Sequence, residues 1–239
     1  MQDQSLARRT FPMHERTRRR WFRFSLRTLL VATLVFGAVM GWVVKERRQS
    51  EREGEVAKEL LRAGCTVEFA GPYDTIEVHY EEKPQTWWRR WARGVLGQRI
   101  IRLGVSDAGF ERLPAPADLS NLQRVDVEKA DDAKLVALSK YSTIRGLDVS
   151  MSSVKDIKPL AKLENLTVLW IFRTDIRDLR LLARLKNLEV LGIEETAVEE
   201  LTPLEGLSNL RRLYLEKTKV TKAQVDGLQK KLPNCVIYR

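Results

Sequence analysis

The feature that most constrains this chain is a repeat of 22 residues. "LSNLQRVDVEKADD", "YSTIRGLDVSMSSV", "LENLTVLWIFRTDI", "LKNLEVLGIEETAV" and "LSNLRRLYLEKTKV" start at residues 119, 141, 163, 185 and 207. Their apolar positions keep register. Leu166, Leu169, Ile171 and Ile176 recur as Leu188, Leu191, Ile193 and Val198, and again as Leu210, Leu213, Leu215 and Val220. One copy, "LKNLEVLGIEETAVEELTPLEG", is too irregularly spaced and too β-branched for a single helix and too long for a single strand. It cannot bury its own leucines, so it must be a rung in a stack whose neighbours bury them. Ile100, 22 residues before Leu122, opens a degenerate first copy in which Leu103 and Val105 hold register. "LPNCVIYR" is a partial last copy after a 25-residue step, with Cys235 in the slot of Leu210 and therefore in the core.

The pattern L-x-x-L-x-L-x-x-[T/S/A]-x-[IV] resembles the leucine-rich repeat over residues 99–239. The layout of basic tail, single apolar run, short α/β segment and repeats ending in "LPNC" resembles the small membrane-anchored leucine-rich-repeat proteins of planctomycete bacteria. The resemblance implies an α/β fold: a short leucine-rich-repeat solenoid (a curved parallel sheet) with an N-terminal transmembrane helix and a small helix-plus-hairpin cap. Each unit would supply one short parallel strand, a turn, and a loose helical or extended return on the convex side. An architecture is implied, not an activity. The family usually carries Asn where this chain has Thr174, Thr196 and Thr218. Their hydroxyls, and that of Ser152, are expected to satisfy backbone groups of the stacked neighbour. Ala108 and Ala130 hold the same position without a hydroxyl, so the first two units are expected to be the loosest.

The N-terminal segment is of another kind. The first 52 residues hold twelve Lys/Arg and four acids, which is +8 of the chain's +10. The body is thus nearly neutral, and the basic balance does not argue for nucleic-acid binding. Leu29–Val44 is an uncharged run, about 24 Å long as a helix, against about 30 Å for a bilayer core. Extending it to Phe22 closes the gap if Arg23 and Arg27 snorkel. Trp21 and Trp42 stand near the ends, where interfacial aromatics belong. A cleaved signal peptide is the rival, but no small-x-small site follows "GAVMGW". An uncleaved anchor over 22–44 is expected, with a basic tail at 1–21. The denser Lys/Arg on the N-side puts residues 45–239 outside the cytoplasm. Gly37 and Gly41 form a GxxxG, which allows self-association through the membrane.

Residues 45–98 should form a capping segment. "ERRQSEREGEVAKELLRA" reads as a charged helix with Val56, Leu60 and Leu61 on one side and Gly64 at its end. "CTVEFA" and "TIEVHY", around "GPYD", read as a hairpin. Trp88, Trp91 and Val95 follow at i, i+3, i+7 spacing. They suit a short amphipathic helix that covers the open end of the stack or rests on lipid.

Function is sought on the face of the sheet opposite the leucines, because a strand alternates sides. Gly104, Asp126, Asp148, Trp170, Gly192 and Tyr214 form one outward column. Arg102, Arg124, Gly146, Val168, Val190 and Arg212 form the column before it, and Ser106, Glu128, Ser150, Phe172, Glu194 and Glu216 the column after. The first three units are polar there, whereas Val168, Trp170 and Phe172 present apolar surface together. Trp170 and Tyr214, two strands apart at about 10 Å, are expected to wall a slot over Gly192. Val190 would be its floor, with Arg212, Glu194 and Glu216 around it. These nine residues are the candidate site for a protein or peptide partner, being of the kinds that dominate interface energetics. Packing of Trp170 and Phe172 on each other, with nothing bound, is the alternative.

No HExxH, G-x-S-x-G, Walker loop or dinucleotide fingerprint occurs. Two cysteines far apart, Cys65 and Cys235, make neither a disulfide framework nor a metal cluster. Of the two histidines, His14 lies in the basic tail and His79 in a strand-like run. No cofactor, metal or catalysis is expected. The expected function is a membrane-tethered binding module. The alternatives are a structural envelope component that associates through its anchor and, with reversed topology, a cytoplasm-facing adaptor.

Overall fold

A computed structural model describes residues 26–70 and 99–239. The chain divides into two compact units, Met1–Gly41 and Trp42–Arg239. The helix α1, Leu26–Arg62, begins in the first and ends in the second. Its residues 26–42 are exposed on every side, and it is long and apolar enough to cross a membrane. Trp21, Phe22 and Arg23 lie outside the described residues, as do "TIEVHY" and the Trp88–Trp91–Val95 segment.

The second unit is built on one eight-stranded sheet in the order β1-β2-β3-β4-β5-β6-β7-β8. The strands are β1 Thr66–Ala70, β2 Arg99–Val105, β3 Arg124–Val127, β4 Gly146–Asp148, β5 Val168–Trp170, β6 Val190–Gly192, β7 Arg212–Tyr214 and β8 Val236–Tyr238. From β2 onward every pairing is parallel, and consecutive rungs meet at the 22-residue offset until the last step. β1, from "CTVEFA", pairs antiparallel with β2, so the sheet is mixed.

Each rung closes because its apolar residues point into one continuous core. In the rung starting at Leu185, Leu185, Leu188, Leu191, Ile193, Val198 and Leu204 are fully buried and Leu201 nearly so. Each such burial contributes about 1.5–3 kcal/mol before chain entropy is charged against it. Tyr141 takes the slot of Leu163 and Leu185, and its phenol donates to the Pro114 carbonyl. Burial, and then the charge of Asp118, push that phenol above its ordinary value. Cys235 is buried as expected, at 3% exposure, and desolvation raises its thiol to about 11.

The return side uses short helices in register. Pro116–Leu119, Lys158–Lys162, Arg180–Arg184 and Thr202–Leu204 are 3-10 turns, three of them with Pro in the first turn. Pro fits there because the first N–H of a helix has no intrahelical partner. α2 Asp107–Phe110, α3 Asp132–Leu138 and α4 Lys222–Lys231 are α-helical. Asp131 caps α3 by accepting from the Lys134 amide at 2.8 Å, and Thr221 and Gln224 form a capping box on α4.

After each of β3 to β7 the chain turns at a left-handed residue. Lys129, Met151, Arg173, Glu195 and Lys217 all have φ between 49° and 55°, at 22-residue spacing. The next residue fastens the turn: Thr174 donates to Ile171 O at 2.7 Å, Thr196 to Ile193 O at 2.6 Å and Thr218 to Leu215 O at 2.8 Å. This corrects the expectation for the threonine position. The hydroxyl closes its own corner instead of bridging rungs. The bridging is done elsewhere, by Asn165, Asn187 and Asn209, whose side-chain amides donate to carbonyls of the preceding rung, at Ser142, Glu164 and Lys186 (2.8–3.1 Å).

The end of α1 seals the first rung. Ala57 and Leu60 are buried against the core with Val56 beside them, while Leu61 is exposed, contrary to expectation. Gly64 ends the helix at φ +80°. Glu53 is fully buried and holds the start of β2, accepting from Ile100 N at 2.7 Å and from Arg99 Nε at 2.8 Å. Arg99, 3% exposed, also pairs with Glu46 and donates to Ser120.

Candidate functional site

Strand register sets the outward columns. Gly104, Asp126, Asp148, Trp170, Gly192, Tyr214 and Tyr238 stand side by side, as do Arg102, Arg124, Gly146, Val168, Val190, Arg212 and Val236. Both columns therefore lie where strand alternation puts them.

The slot expected over Gly192 is occupied by Trp170 itself. A Cβ at Gly192 would lie 2.2 Å from Trp170 Cε3 and 2.5 Å from Cζ3, so the indole rests on this glycine. It reaches Tyr214, with ring centroids 5.1 Å apart at 40°. Tyr214 in turn stacks on Tyr238 at 4.6 Å and 7°. The three rings make a continuous wall, and the missing side chain at residue 192 lets the first ring lie across to the second. Glu194 packs at the same glycine, its Oε2 2.9 Å from the position of that Cβ. This oxygen is buried and has no hydrogen-bond partner among the described residues. Burial pushes the Glu194 carboxyl above its ordinary value, its own backbone N–H opposes this, and the charges of Glu216 and Glu195 reinforce it. Glu216 is exposed.

The open space lies on the other side of the wall. A groove of about 540 Å³ runs towards the earlier rungs. Gly146, Val168 and Val190 are buried at its base, Trp170, Phe172 and Tyr214 flank it, and Arg212 lies beside them. Its remaining lining is Arg102, Gln123, Arg124, Arg145, Asp148 and Thr167. Of the nine candidate residues, Val168, Trp170, Phe172, Val190, Arg212 and Tyr214 line it, and Gly192, Glu194 and Glu216 do not. Sequence reasoning passed over Gln123, Arg145 and Thr167 because alternation counts them as inward. They stand instead where each strand begins. There the carbonyl of one residue takes two amides of the next rung: Arg145 O accepts from Thr167 N and Val168 N, at 2.7 and 2.9 Å. The signal in the sequence was their own 22-residue spacing.

Charge in the groove is arranged by Asp126, which holds Arg102 at 2.8 Å and Arg124 at 3.1 Å. The stem of Arg124 crosses Gly146, where a Cβ would lie 3.3 Å from Arg124 Cγ. Arg145 is exposed, and its side chain has no hydrogen bond or ion pair among the described residues. At the turn beyond the strands, Glu195 is clamped between Arg173 (2.7 Å) and Lys217 (2.9 Å). Hydrogen bonds from these two hold its carboxyl down to about 2. Among the described residues no three His, Cys, Asp or Glu are placed to hold a metal ion.

No protein-family model matches this sequence, and no curated protein is significantly similar to it. Solved structures that it is similar to include internalin C2 from Listeria monocytogenes, 24% identical with a TM-score of 0.48, over 58% of this chain and 70% of that one. Another internalin of the same organism is 19% identical with a TM-score of 0.48, over 56% of this chain and 40% of that one. A leucine-rich-repeat protein of Leptospira interrogans is 20% identical with a TM-score of 0.44, over 53% of this chain and 34% of that one. This chain thus spans less than half the length of two of these three. The fold assignment rests on the rungs themselves, with one parallel strand, one left-handed corner and one short helical return in each unit from β3 to β7. Residues 99–239 form a leucine-rich-repeat solenoid closed at its first edge by α1 and β1.

Proposed function

We propose that this chain is a membrane-anchored, non-catalytic interaction module that presents the open face of its sheet to a protein or peptide partner. The observation that carries this is the groove, which joins a three-ring aromatic wall to a basic rim on a rigid parallel sheet. Aromatics and arginine concentrate binding energy at interfaces, and a rigid element spares the ordering cost of binding. Val168 and Val190 form the base, and Trp170, Phe172, Tyr214 and Arg212 make contact. Gly192 and Glu194 hold the wall from behind, and Glu216 lies at its margin. The Trp170→Ala, Phe172→Ala double variant should lose partner capture from solubilised membranes at unchanged far-ultraviolet circular dichroism. Unchanged capture would defeat the reading. The anchor is residues 22–44, and the Lys/Arg bias supports a solenoid outside the cytoplasm. A protease that leaves a C-terminal tag intact on whole cells but removes it after lysis would reverse that topology and make the chain a cytoplasm-facing adaptor.

A second role, self-association in the membrane, is supported by Gly37 and Gly41. Among the described residues, nothing beyond the neighbouring residues and the helix's own backbone lies within 4 Å of where a Cβ would stand at either, so this side of the helix is open. Close backbone approach there suits a helix pair and would serve a structural envelope component. Crosslinking that is unchanged by Gly37→Ile with Gly41→Ile would dismiss it.

A further inference from the structure

Resting on that reading, we infer that the groove takes an acidic peptide, an extended segment in which a carboxylate lies within a residue or two of a large apolar side chain. The charge balance of the lining points to the carboxylate. Arg102, Arg124, Arg145 and Arg212 contribute four guanidiniums, against one lining carboxylate, Asp148. Asp126 stands behind two of them, and Glu68 reaches Arg102 at 3.7 Å. Even with both counted, the four guanidiniums outnumber the three carboxylates among the described residues, and since Arg102 and Arg212 each make a further interaction, Arg145 is the guanidinium offered to a ligand. The two rim arginines tied to Asp126 are held in place, which lowers the ordering cost of receiving a ligand. Arg145, without an ion pair among the described residues, has its full fork of donors available. Asp148 is committed in part to its own strand, accepting from Ser150 N at 3.0 Å.

The apolar requirement comes from the other side of the groove. Trp170, Phe172 and Tyr214 face it over buried Val168 and Val190, and an arginine rim alone would leave that surface wet. An extended chain places residues i and i+2 on one side, about 6.6 Å apart, so one ligand strand can offer a carboxylate and an apolar group together. A long polyanion is disfavoured. Glu216 and Glu194 follow Tyr214 and Gly192 on the sheet, and Glu195 adds a third acid at the next position. A nucleic-acid backbone running along the face would meet them, whereas a short acidic segment ends before them.

The test uses the full chain in nanodiscs of zwitterionic lipid, with fluorescent octapeptides blocked at both ends. One alternates Glu with Leu, the second Gln with Leu, and the third Lys with Leu. Binding is followed by anisotropy. The Glu/Leu peptide should bind, the Gln/Leu peptide about tenfold more weakly, as loss of a charge-assisted hydrogen bond implies, and the Lys/Leu peptide not measurably. Arg145→Glu should abolish the Glu/Leu preference, and Trp170→Ala should weaken all peptides alike. Equal binding of the Glu/Leu and Gln/Leu peptides, or a preference that survives Arg145→Glu, would overturn the inference and leave the interaction module standing. No binding by any peptide would overturn both. Tighter capture of an oligothymidylate, or displacement of the peptide by succinate at equal concentration, would replace the acidic peptide with a nucleic acid or a free small acid.

Discussion

At the residue scale, the aromatic wall depends on a side chain that is not there. Gly192→Ala sets a methyl 2.2 Å from Trp170 Cε3, so the indole must swing out and lose Tyr214. The pair contact is worth about 0.5–1.5 kcal/mol, and a loss of that size is expected in urea unfolding, with a weakened near-ultraviolet Trp signal. An unchanged signal would show that the ring does not rest on this glycine. Glu194 gives a second residue-scale prediction. Its carboxyl is held above its ordinary value of 4.5, first by burial. The folded state therefore keeps the proton longer than the unfolded state. Stability is present in full below pH 4.5 and declines as pH rises through the folded value. Glu194→Gln should raise Tm at pH 7 and leave it unchanged at pH 3, and equal Tm values at both would refute the linkage. The repeat made Trp170 and Tyr214 recognisable as neighbours on one face. It could not show which way an indole turns, because rotamer choice depends on the space left by residues in other rungs.

At the scale of single elements, α1 is fixed to the sheet by charge inside the core. Glu53 answers both the Arg99 guanidinium and the Ile100 amide. Glu53→Ala leaves the Ile100 N–H without its acceptor and Arg99 with Glu46 as its remaining carboxylate, so the cost should be about 3 kcal/mol, the low end for breaking a buried pair. The urea midpoint should fall accordingly, with β1 and β2 opening first by hydrogen exchange. Loss of less than about 1 kcal/mol would contradict the clamp. Spacing found the helix's last turns and its stop at Gly64 and placed Leu60 correctly, but it read as a separate charged helix what is the second half of one helix running from Leu26 to Arg62. It put Leu61 inside because an apolar residue next to a buried one looks equally core-like until the partner surface is known. Glu53 drew no notice, since an acid among "SEREGE" reads as a solvated face, and only the position of Arg99 across the core explains its burial. The asparagines of "ENL", "KNL" and "SNL" were likewise legible as a 22-residue recurrence, yet their carbonyl partners lie one rung away and appear only once the rungs are stacked.

For the whole molecule, stability should be graded along the solenoid. The corner hydroxyl is present at Ser152, Thr174, Thr196 and Thr218, each donating to its own turn; it is missing at Ala130, and the first unit has no such corner, Ala108 lying inside α2. Each such bond contributes about 1 kcal/mol. Asp132 partly compensates in the second unit, accepting from Lys155 N and Asp156 N at 2.8 and 3.0 Å. Hydrogen exchange should thus find the first unit opening most readily and the Thr174–Thr218 rungs last, and the reverse order would refute this. The 22-residue period, the core and the outward columns were all readable from sequence, because stacking repeats one local solution. The position of the groove was not, since it belongs to several rungs at once.

The left-handed corners at Lys129, Met151, Arg173, Glu195 and Lys217 make the rungs interchangeable parts. A second copy of residues 185–206 spliced in after Gly206 would meet the same corner before and after it, and the array would simply grow by one strand. Tyr214 would then move about 4.8 Å farther from Trp170, beyond the reach of an indole lying over Gly192. Array length is therefore open to change by duplication, while the wall survives only additions made outside the interval between Trp170 and Tyr214.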